Sequence, residues 1–553
     1  MAMSWSEIQK RVVEAPARVR AVAKMSRSTG MLWELRPGGM IELVRMLGRN
    51  YENPSSLYAI QAKNQPNREA IRFRGRSMTF GELDERIASV ASGLVERGLG
   101  RKQSVLLMMK NRPEYVEIGS GAARAGAAAV AVSWRSTPAE LAYLASNSGA
   151  RFVFFEHELW PTVEQALGRI ALPRERLVSV GGDAPGCTRY EDLLSTKRKR
   201  VERDDEAAAV VTYTSGTTGK PKGAVRRFPR EMAVQLMEFI ASTPLKTDDV
   251  HLVVCPMYHM TAFAFLSMTH LVGGCAVIAD EFKPESFLQT VERERITTTA
   301  LVPTMLQRLV ALGPEAIARH RTRSLRAIFS GGAALPGALA IAAMDALGDV
   351  VYNFYGATET GIVTLAGPAD LRAAPGTIGP ALAGNDVMLL DEHRAQVKDG
   401  EVGELYVKNA MLVAGYHDND QATRESMHGG YFSVGDLARR DRDGRYFIEG
   451  RKRDMVITGG VNVYPAEVEA ALEEHPQVLE AAVVGVPDPE WGERVKAFVV
   501  PRGGQRLDAE QIKHFLRERI AGPKVPREYA FLDALPRNPT GKVLKNELRS
   551  LRS

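Results

Sequence analysis

Tyr213-Thr214-Ser215-Gly216-Thr217-Thr218-Gly219-Lys220-Pro221-Lys222-Gly223 follows an apolar run at residues 208–211. Within eleven residues it sets four hydroxyls from Ser and Thr, three glycines and two lysines. Glycines let the backbone bend close to a ligand, so that successive N–H groups can wrap a polyphosphate while a lysine supplies charge. An ordinary surface turn needs far fewer such residues. The spacing excludes the P-loop of the NTPases: Gly216 and Gly219 stand too close for GxxxxGK[ST], and Pro221, not Ser or Thr, follows Lys220.

Working outward, short apolar runs alternate with helical stretches from about residue 68. Residues 104–109 read as a buried strand, 83–99 as a helix, and 130–132 and 152–155 as further strands. This alternation predicts βα units and a largely parallel sheet. The basic run Lys197-Arg198-Lys199-Arg200 reads as a solvated loop. Turn signals crowd residues 441–444 and 450–454, and beyond them strands at 483–486 and 496–500 and a helix over 511–520 suffice for a small separate domain. The expected division is an N-terminal extension at 1–50, a large domain at 51–453 and a small domain at 454–553.

The 553 residues are 45% hydrophobic and 25% charged, too long for a single core. A net charge of +6 from 72 basic and 66 acidic side chains suits an anionic small ligand and does not indicate a nucleic-acid binder. Cys187, Cys255 and Cys275 form no CxxC pair, which argues against structural zinc and a disulfide framework and points to a reducing, cytoplasmic setting. Residues 261–279 run without a charge for a length that could span a bilayer, but His270 and Gly273-Gly274 favour a buried core segment. Residues 1–50 carry nine Lys or Arg and four Asp or Glu, with Trp5, Ile8, Val12, Val19 and Val22 on one helical face. Two readings stand: a basic segment in peripheral membrane contact, or a helix docked on its own domain, which Pro16 favours by interrupting the pattern.

The loop at 213–223 resembles the phosphate loop of the adenylate-forming superfamily, which includes acyl-CoA synthetases, peptide-synthetase adenylation domains and beetle luciferases. Further family motifs follow in order, so the resemblance covers roughly residues 55–550. It implies a large N-terminal multi-layer α/β domain and a small mobile C-terminal α+β domain. It also implies that Thr214, Ser215, Gly216, Thr217, Thr218, Gly219 and Lys222 cradle the phosphates of ATP. In Asn353-Phe354-Tyr355-Gly356-Ala357-Thr358-Glu359 it implies Tyr355 stacked on adenine, Asn353 on its amino edge, Thr358 on the α-phosphate, and Glu359, with Thr214, holding Mg²⁺. Gly331, Gly332 and Ala333 would line the adenine and acyl pockets, with Ile448 and Gly460 also on the nucleotide. Asp436 and Arg451 match the ribose-binding pair, and Asp454 matches the hinge. Lys542, in Pro536-Arg537-Asn538-Pro539-Thr540-Gly541-Lys542, matches the lysine of the adenylation step, where a positioned ammonium stabilises charge building on phosphate. A lysine on a mobile domain lets closure complete the site. Gly459-Gly460 and Trp491-Gly492-Glu493 match the face that shapes a pantetheine tunnel, and no insertion follows the hinge, which favours coenzyme A as acceptor.

In Met257-Tyr258-His259-Met260 the resemblance sets His259 at the carboxylate end of the acid; read alone, His259 is as well a packed core histidine. No basic residue lies between Leu252 and Ala279 to take a second carboxylate, so the expected substrate is a hydrophobic monocarboxylate, a medium- or long-chain fatty acid, with an aryl or arylalkenoic acid as the alternative. A ligase that loads a carrier protein, and a degenerate sensor of nucleotide or acyl chain, are the competing readings. Retention of Lys542, Glu359 and Asp436 speaks against the sensor. A homodimer is left open.

Overall fold

The computed structural model describes residues 19–47, 53–170, 172–194, 201, 209–214, 222–226, 230–357, 359–412, 424, 426–458, 461–504, 507–537 and 543–551. These form two compact units: one from the residues up to Ala300 with His320–Ile328 and 410–412, the other from Leu301–Arg319, Phe329–Asn409 and the residues from Arg424 onward.

The first unit holds two sheets. Its strands in chain order are β1 (Glu69–Phe73), β2 (Arg76–Thr79), β3 (Ser104–Met108), β4 (Ala128–Val132), β5 (Ala150–Glu156), β6 (Leu177–Val180), β7 (Thr188–Arg189), β8 (Ala209–Thr214), β9 (Lys222–Arg226), β10 (Val250–Val253), β11 (Cys275–Ile278) and β12 (Thr298–Leu301). A seven-stranded sheet runs β7-β6-β5-β3-β4-β8-β9, parallel throughout except for β8–β9. β3 is buried along its whole length, as a strand covered on both faces must be. Leu106, Met108, Val130, Val153 and Phe155 pack one face of this sheet into a continuous core. The second sheet sets β1, β11, β10 and β12 side by side in parallel, with β2 antiparallel at its edge. The expected helix at 83–99 spans Phe80–Glu96 instead. It starts earlier because Thr79 and Glu82 form a reciprocal cap, and it stops where Gly98 takes φ 82°.

The charge-free segment at 261–279 is not one long helix. A helix over Met260–Val272 ends at Gly273, whose φ of 99° closes it, and the chain then enters β11. His270 is fully buried, with Nε2 2.9 Å from the Ala70 carbonyl oxygen. No helix among the described residues is long and apolar enough to cross a membrane. Residues 19–29 are helical and docked on the first unit: Met25 is buried, Lys24 pairs with Glu238 at 2.6 Å, and the Thr29 carbonyl accepts the Thr247 N–H. Trp5, Ile8, Val12 and the basic run at 197–200 lie outside the described residues.

The second unit carries, after β13 (Ala327–Ser330) at the division, the antiparallel pair β14 (Val351–Ala357) and β15 (Gly361–Ala366). A six-stranded antiparallel sheet follows, built from β16 (Asp386–Leu390), β17 (Gly403–Lys408), β18 (Met427–His428), β19 (Tyr431–Phe432), β20 (Asp436–Arg440) and β21 (Tyr446–Arg451). The last sheet has β22 (Val456–Thr458), β23 (Val461–Val463), β24 (Val478–Asp488), β25 (Gly492–Pro501) and β26 (Glu528–Phe531). Helices Pro465–Glu473 and Ala509–Arg517 accompany it, and Val468, Leu472, Val483, Val499, Ile512 and Leu516 fill the core between. The helix expected at 511–520 begins earlier because the Asp508 carboxylate caps the Glu510 N–H.

Candidate active site

β8 runs parallel to β4 and ends at Thr214, so the hydroxyl-rich stretch starts at the carboxyl end of a parallel strand, where ligands of open α/β sheets gather. β9 takes up the chain again at Lys222, antiparallel to β8, with Thr214 opposite Lys222. Ser215, Gly216, Thr217, Thr218 and Gly219 lie outside the described residues, as do Thr358, Gly460 and Lys542.

The second unit gathers several of the other candidates. Asp436 and Arg451 are cross-strand partners on β20 and β21, so their side chains share one face. Arg451 Nε lies 3.1 Å from Asp436 Oδ1, and the Tyr355 hydroxyl donates to Asp436 Oδ2 at 2.7 Å. Burial and the Asp436 charge push the Tyr355 phenol well above its ordinary range, so it stays protonated and remains a donor. A carboxylate offers about four lone-pair positions, so both oxygens of Asp436 can still accept. Tyr355 and Ile448 pack together against Val363 and Ile378, which presents an apolar wall beside this polar cluster.

Neighbouring candidates are held by their backbones. Asn353 is buried and donates from Nδ2 to the Thr377 carbonyl at 2.9 Å, leaving Oδ1 as the acceptor end of a fixed amide. A Cβ on Gly331 would sit 2.5 Å from the Phe354 ring, and one on Gly356 would sit 2.1 Å from the Gly361 carbonyl oxygen, so both positions require glycine. Gly332 takes φ 81°, and Ala333 follows it before the helix Gly337–Leu347. Glu359 sits in the turn between β14 and β15. That turn is braced by Thr360, whose Oγ1 accepts the Ala357 N–H, and by Asn409, whose Nδ2 donates to the Thr360 carbonyl at 2.9 Å. Thr360, Thr377 and Asn409 carry no motif signal in the sequence. Asp454 is paired with Arg549 of the helix Lys545–Ser550 at 2.8 Å; burial alone would raise the Asp454 carboxyl, but Arg549 and the other cations near it pull it below the usual range.

In the first unit, His259 stands at the N-cap position of the helix Met260–Val272 without a side-chain capping bond, and lines an apolar cavity with Leu107, Tyr115, Ala131, Tyr258 and Phe263. Burial lowers the His259 imidazole to about 4, so it is neutral at physiological pH. The rings of Tyr258 and His259 lie 4.3 Å apart. Among the described residues, none of the side chains lining this cavity is charged. Tyr115 sits at what reads in sequence as an ordinary apolar helix position, and so escaped notice.

The AMP-binding enzyme family matches residues 58–417, and the AMP-binding enzyme C-terminal domain matches residues 467–542. A feruloyl-CoA synthase of Amycolatopsis is 36% identical over 500 residues, covering 88% of this chain and 97% of its own. An indoleacetate–CoA ligase of Aromatoleum aromaticum is 33% identical, covering 88% and 96%. Among solved structures, the anthranilate CoA ligase AuaEII in complex with anthranoyl-AMP superposes with a TM-score of 0.83 at 27% identity, over 91% of this chain and 97% of that one. The chain therefore belongs to the AMP-binding enzyme family, in its branch of AMP-forming acyl-CoA synthetases, and has the mixed α/β fold of adenylate-forming enzymes. Its reaction uses ATP, coenzyme A and Mg²⁺. A carboxylate at Glu359 and a hydroxyl at Thr214 are oxygen donors of the kind a hard cation takes.

Proposed function

We propose that this enzyme activates an aryl or arylalkenoic acid, replacing the fatty acid expected from the sequence. The observation that carries this reading is the cavity beside His259. Its walls include the small residues Gly119, Ala123, Ala129 and Ala131, with aromatic Tyr115 and Phe263 beside them. A planar ring fills an apolar space of this lining with little loss of rotamer freedom, whereas an alkyl chain must be frozen to do so. The relatives named for feruloyl-CoA, indoleacetate and anthranilate support the same choice.

The carboxylate of the acid attacks the α-phosphorus of ATP, the bond to the β-phosphate oxygen breaks, and pyrophosphate leaves. Thr214 and the loop after it cradle the phosphates, and Asp436 with Arg451 accepts and positions the ribose hydroxyls. Lys542 stabilises the charge that develops on the phosphate. Glu359 and Thr214 would hold Mg²⁺, which neutralises phosphate charge when bound. The neutral His259 borders the carboxylate end of the acid without adding a charge that would hold back the nucleophile. The small domain beyond Asp454 then turns, and the thiol of coenzyme A attacks the acyl carbonyl, expelling AMP.

The test is steady-state turnover with ATP, Mg²⁺ and coenzyme A on matched panels of ring-bearing and straight-chain acids, following pyrophosphate and thioester together. Higher kcat/KM on ring-bearing acids supports the reading, and turnover confined to straight chains defeats it. Pyrophosphate in one burst without thioester would point to a carrier-protein acceptor.

A further inference from the structure

The cavity beside His259 is apolar, yet three of the residues lining it each carry a buried polar atom with no hydrogen-bond partner among the described residues: Tyr115 Oη, Tyr258 Oη and His259 Nε2. Tyr115 and Tyr258 are each 5% exposed, so solvent does not satisfy them. A buried hydroxyl left unpaired costs roughly 1–3 kcal/mol, and such groups are rare in folded proteins. Phenylalanine in either position would fill the same space without that cost.

The two phenols come from separate parts of the first unit and are brought together by one side chain. Asn111, just before the helix Pro113–Arg124 that carries Tyr115, donates from Nδ2 to the Cys255 carbonyl at 3.1 Å and accepts the Met257 N–H at 2.8 Å. This fastens the start of the Tyr115 helix to the segment bearing Tyr258 and His259. Burial, and then the nearby Tyr258, oppose ionisation of Tyr115 and keep it protonated. A phenol hydroxyl is both a donor and an acceptor.

We infer that Tyr115 and Tyr258 form a hydroxyl-recognising subsite, and that the acid this enzyme activates carries a hydroxyl group on its ring. This rests on the reading of the substrate as an aryl acid. A ring hydroxyl entering the cavity accepts from one phenol and donates to the other, pairing atoms that an unsubstituted ring leaves unpaired. Sites built to bond a substrate hydroxyl discriminate strongly against the analogue that lacks it.

The experiment compares kcat/KM for acid pairs that differ by one oxygen: 4-hydroxycinnamic with cinnamic acid, and 3- and 4-hydroxyphenylacetic with phenylacetic acid, with decanoic acid alongside. The expected result is a preference of about tenfold or more for at least one hydroxylated acid. In the double variant Tyr115→Phe/Tyr258→Phe that ratio falls to within about twofold of unity. Ratios near one for every pair in the unaltered enzyme overturn the inference while leaving the aryl reading intact, and the phenols then hold a water. A preference that survives in the double variant also overturns it. Turnover of decanoic acid alone would defeat the aryl reading itself, and the inference with it. The comparison in the unaltered enzyme stands even where the double variant fails to fold.

Discussion

Tyr355, Asp436 and Arg451 hold one another in place before any ligand is considered, whereas Tyr115 Oη, Tyr258 Oη and His259 Nε2 have no hydrogen-bond partner among the described residues. The first cluster sits on paired strands, with register fixing Asp436 opposite Arg451. The second lines a cavity assembled from residues as far apart as Pro54 and Phe263. Under the proposed function the difference follows from what each would bind. Ribose is the same in every turnover, so its contacts can be built in advance at no later cost in ordering. The acid is what distinguishes one synthetase from another, and the site proposed for it would keep bonding capacity for the right molecule to satisfy.

The largest effect that would sharpen this contrast is expected at Lys542. Replacement by alanine should lower single-turnover pyrophosphate release by on the order of 10²–10³-fold, while thioester formation from supplied acyl-adenylate changes far less. Equal losses in both half-reactions would remove Lys542 from the adenylation step. Next comes Asp436→Ala, which deletes the proposed ribose acceptor and strands Arg451 and Tyr355. A fall of about 10²-fold in kcat/KM for ATP is expected from losing two hydrogen bonds to a charged group, with the preference among acids unaltered. If acid preference shifts instead, the two regions are not separate in function.

A smaller effect concerns protons. Burial lowers His251 to about 3, and His259 and His270 to about 4, against an ordinary value near 6.5. Below pH 6.5 the unfolded chain binds protons that the folded chain refuses. The stability these groups contribute is therefore complete above pH 6.5 and is lost as pH falls towards 4. At pH 5 the loss is at most about 2 kcal/mol for each histidine. Urea midpoints at pH 7.5 and 5.0 measure it, and equal midpoints would contradict the assignment of neutral buried imidazoles. Last, Arg549→Ala removes a partly exposed ion pair from Asp454 and should cost about 1 kcal/mol or less in stability. Its informative readout is the ratio of the adenylation and thioester rates, which moves only if Asp454 is the point about which the small domain turns.

Much of the scaffold could be read from residue order, because strands such as β3 and the helix Phe80–Glu96 carry their hydrophobic period and caps locally. Helix starts were displaced where a cap lay outside the apolar pattern, at Thr79 and Asp508. The polar candidates Asn353, Tyr355, Asp436 and Arg451 were legible because each stands in a short motif. The braces from Thr377 and Asn409 were not, since a hydrogen bond to a carbonyl leaves no compositional trace. The same holds for the cavity. Tyr115 and Tyr258 are more than a hundred positions apart in the chain, and the tie through Asn111 that fastens their segments leaves no trace in residue order. The preference for a fatty acid drawn from an apolar run was an inference from hydropathy, and hydropathy does not distinguish a ring from a chain.

The short helix Lys545–Ser550 bears on how the protein is handled and shortened. Leu548 is fully buried against Val484, Phe498 and Leu535, and Arg549 reaches Asp454. A clip that removed this helix would open an apolar hollow in the last sheet and release Asp454 in the same event. Protease trimming at the carboxyl end should therefore register as altered catalytic balance before any cleavage of the larger sheets, which makes intact mass a necessary companion to every rate measured on this enzyme.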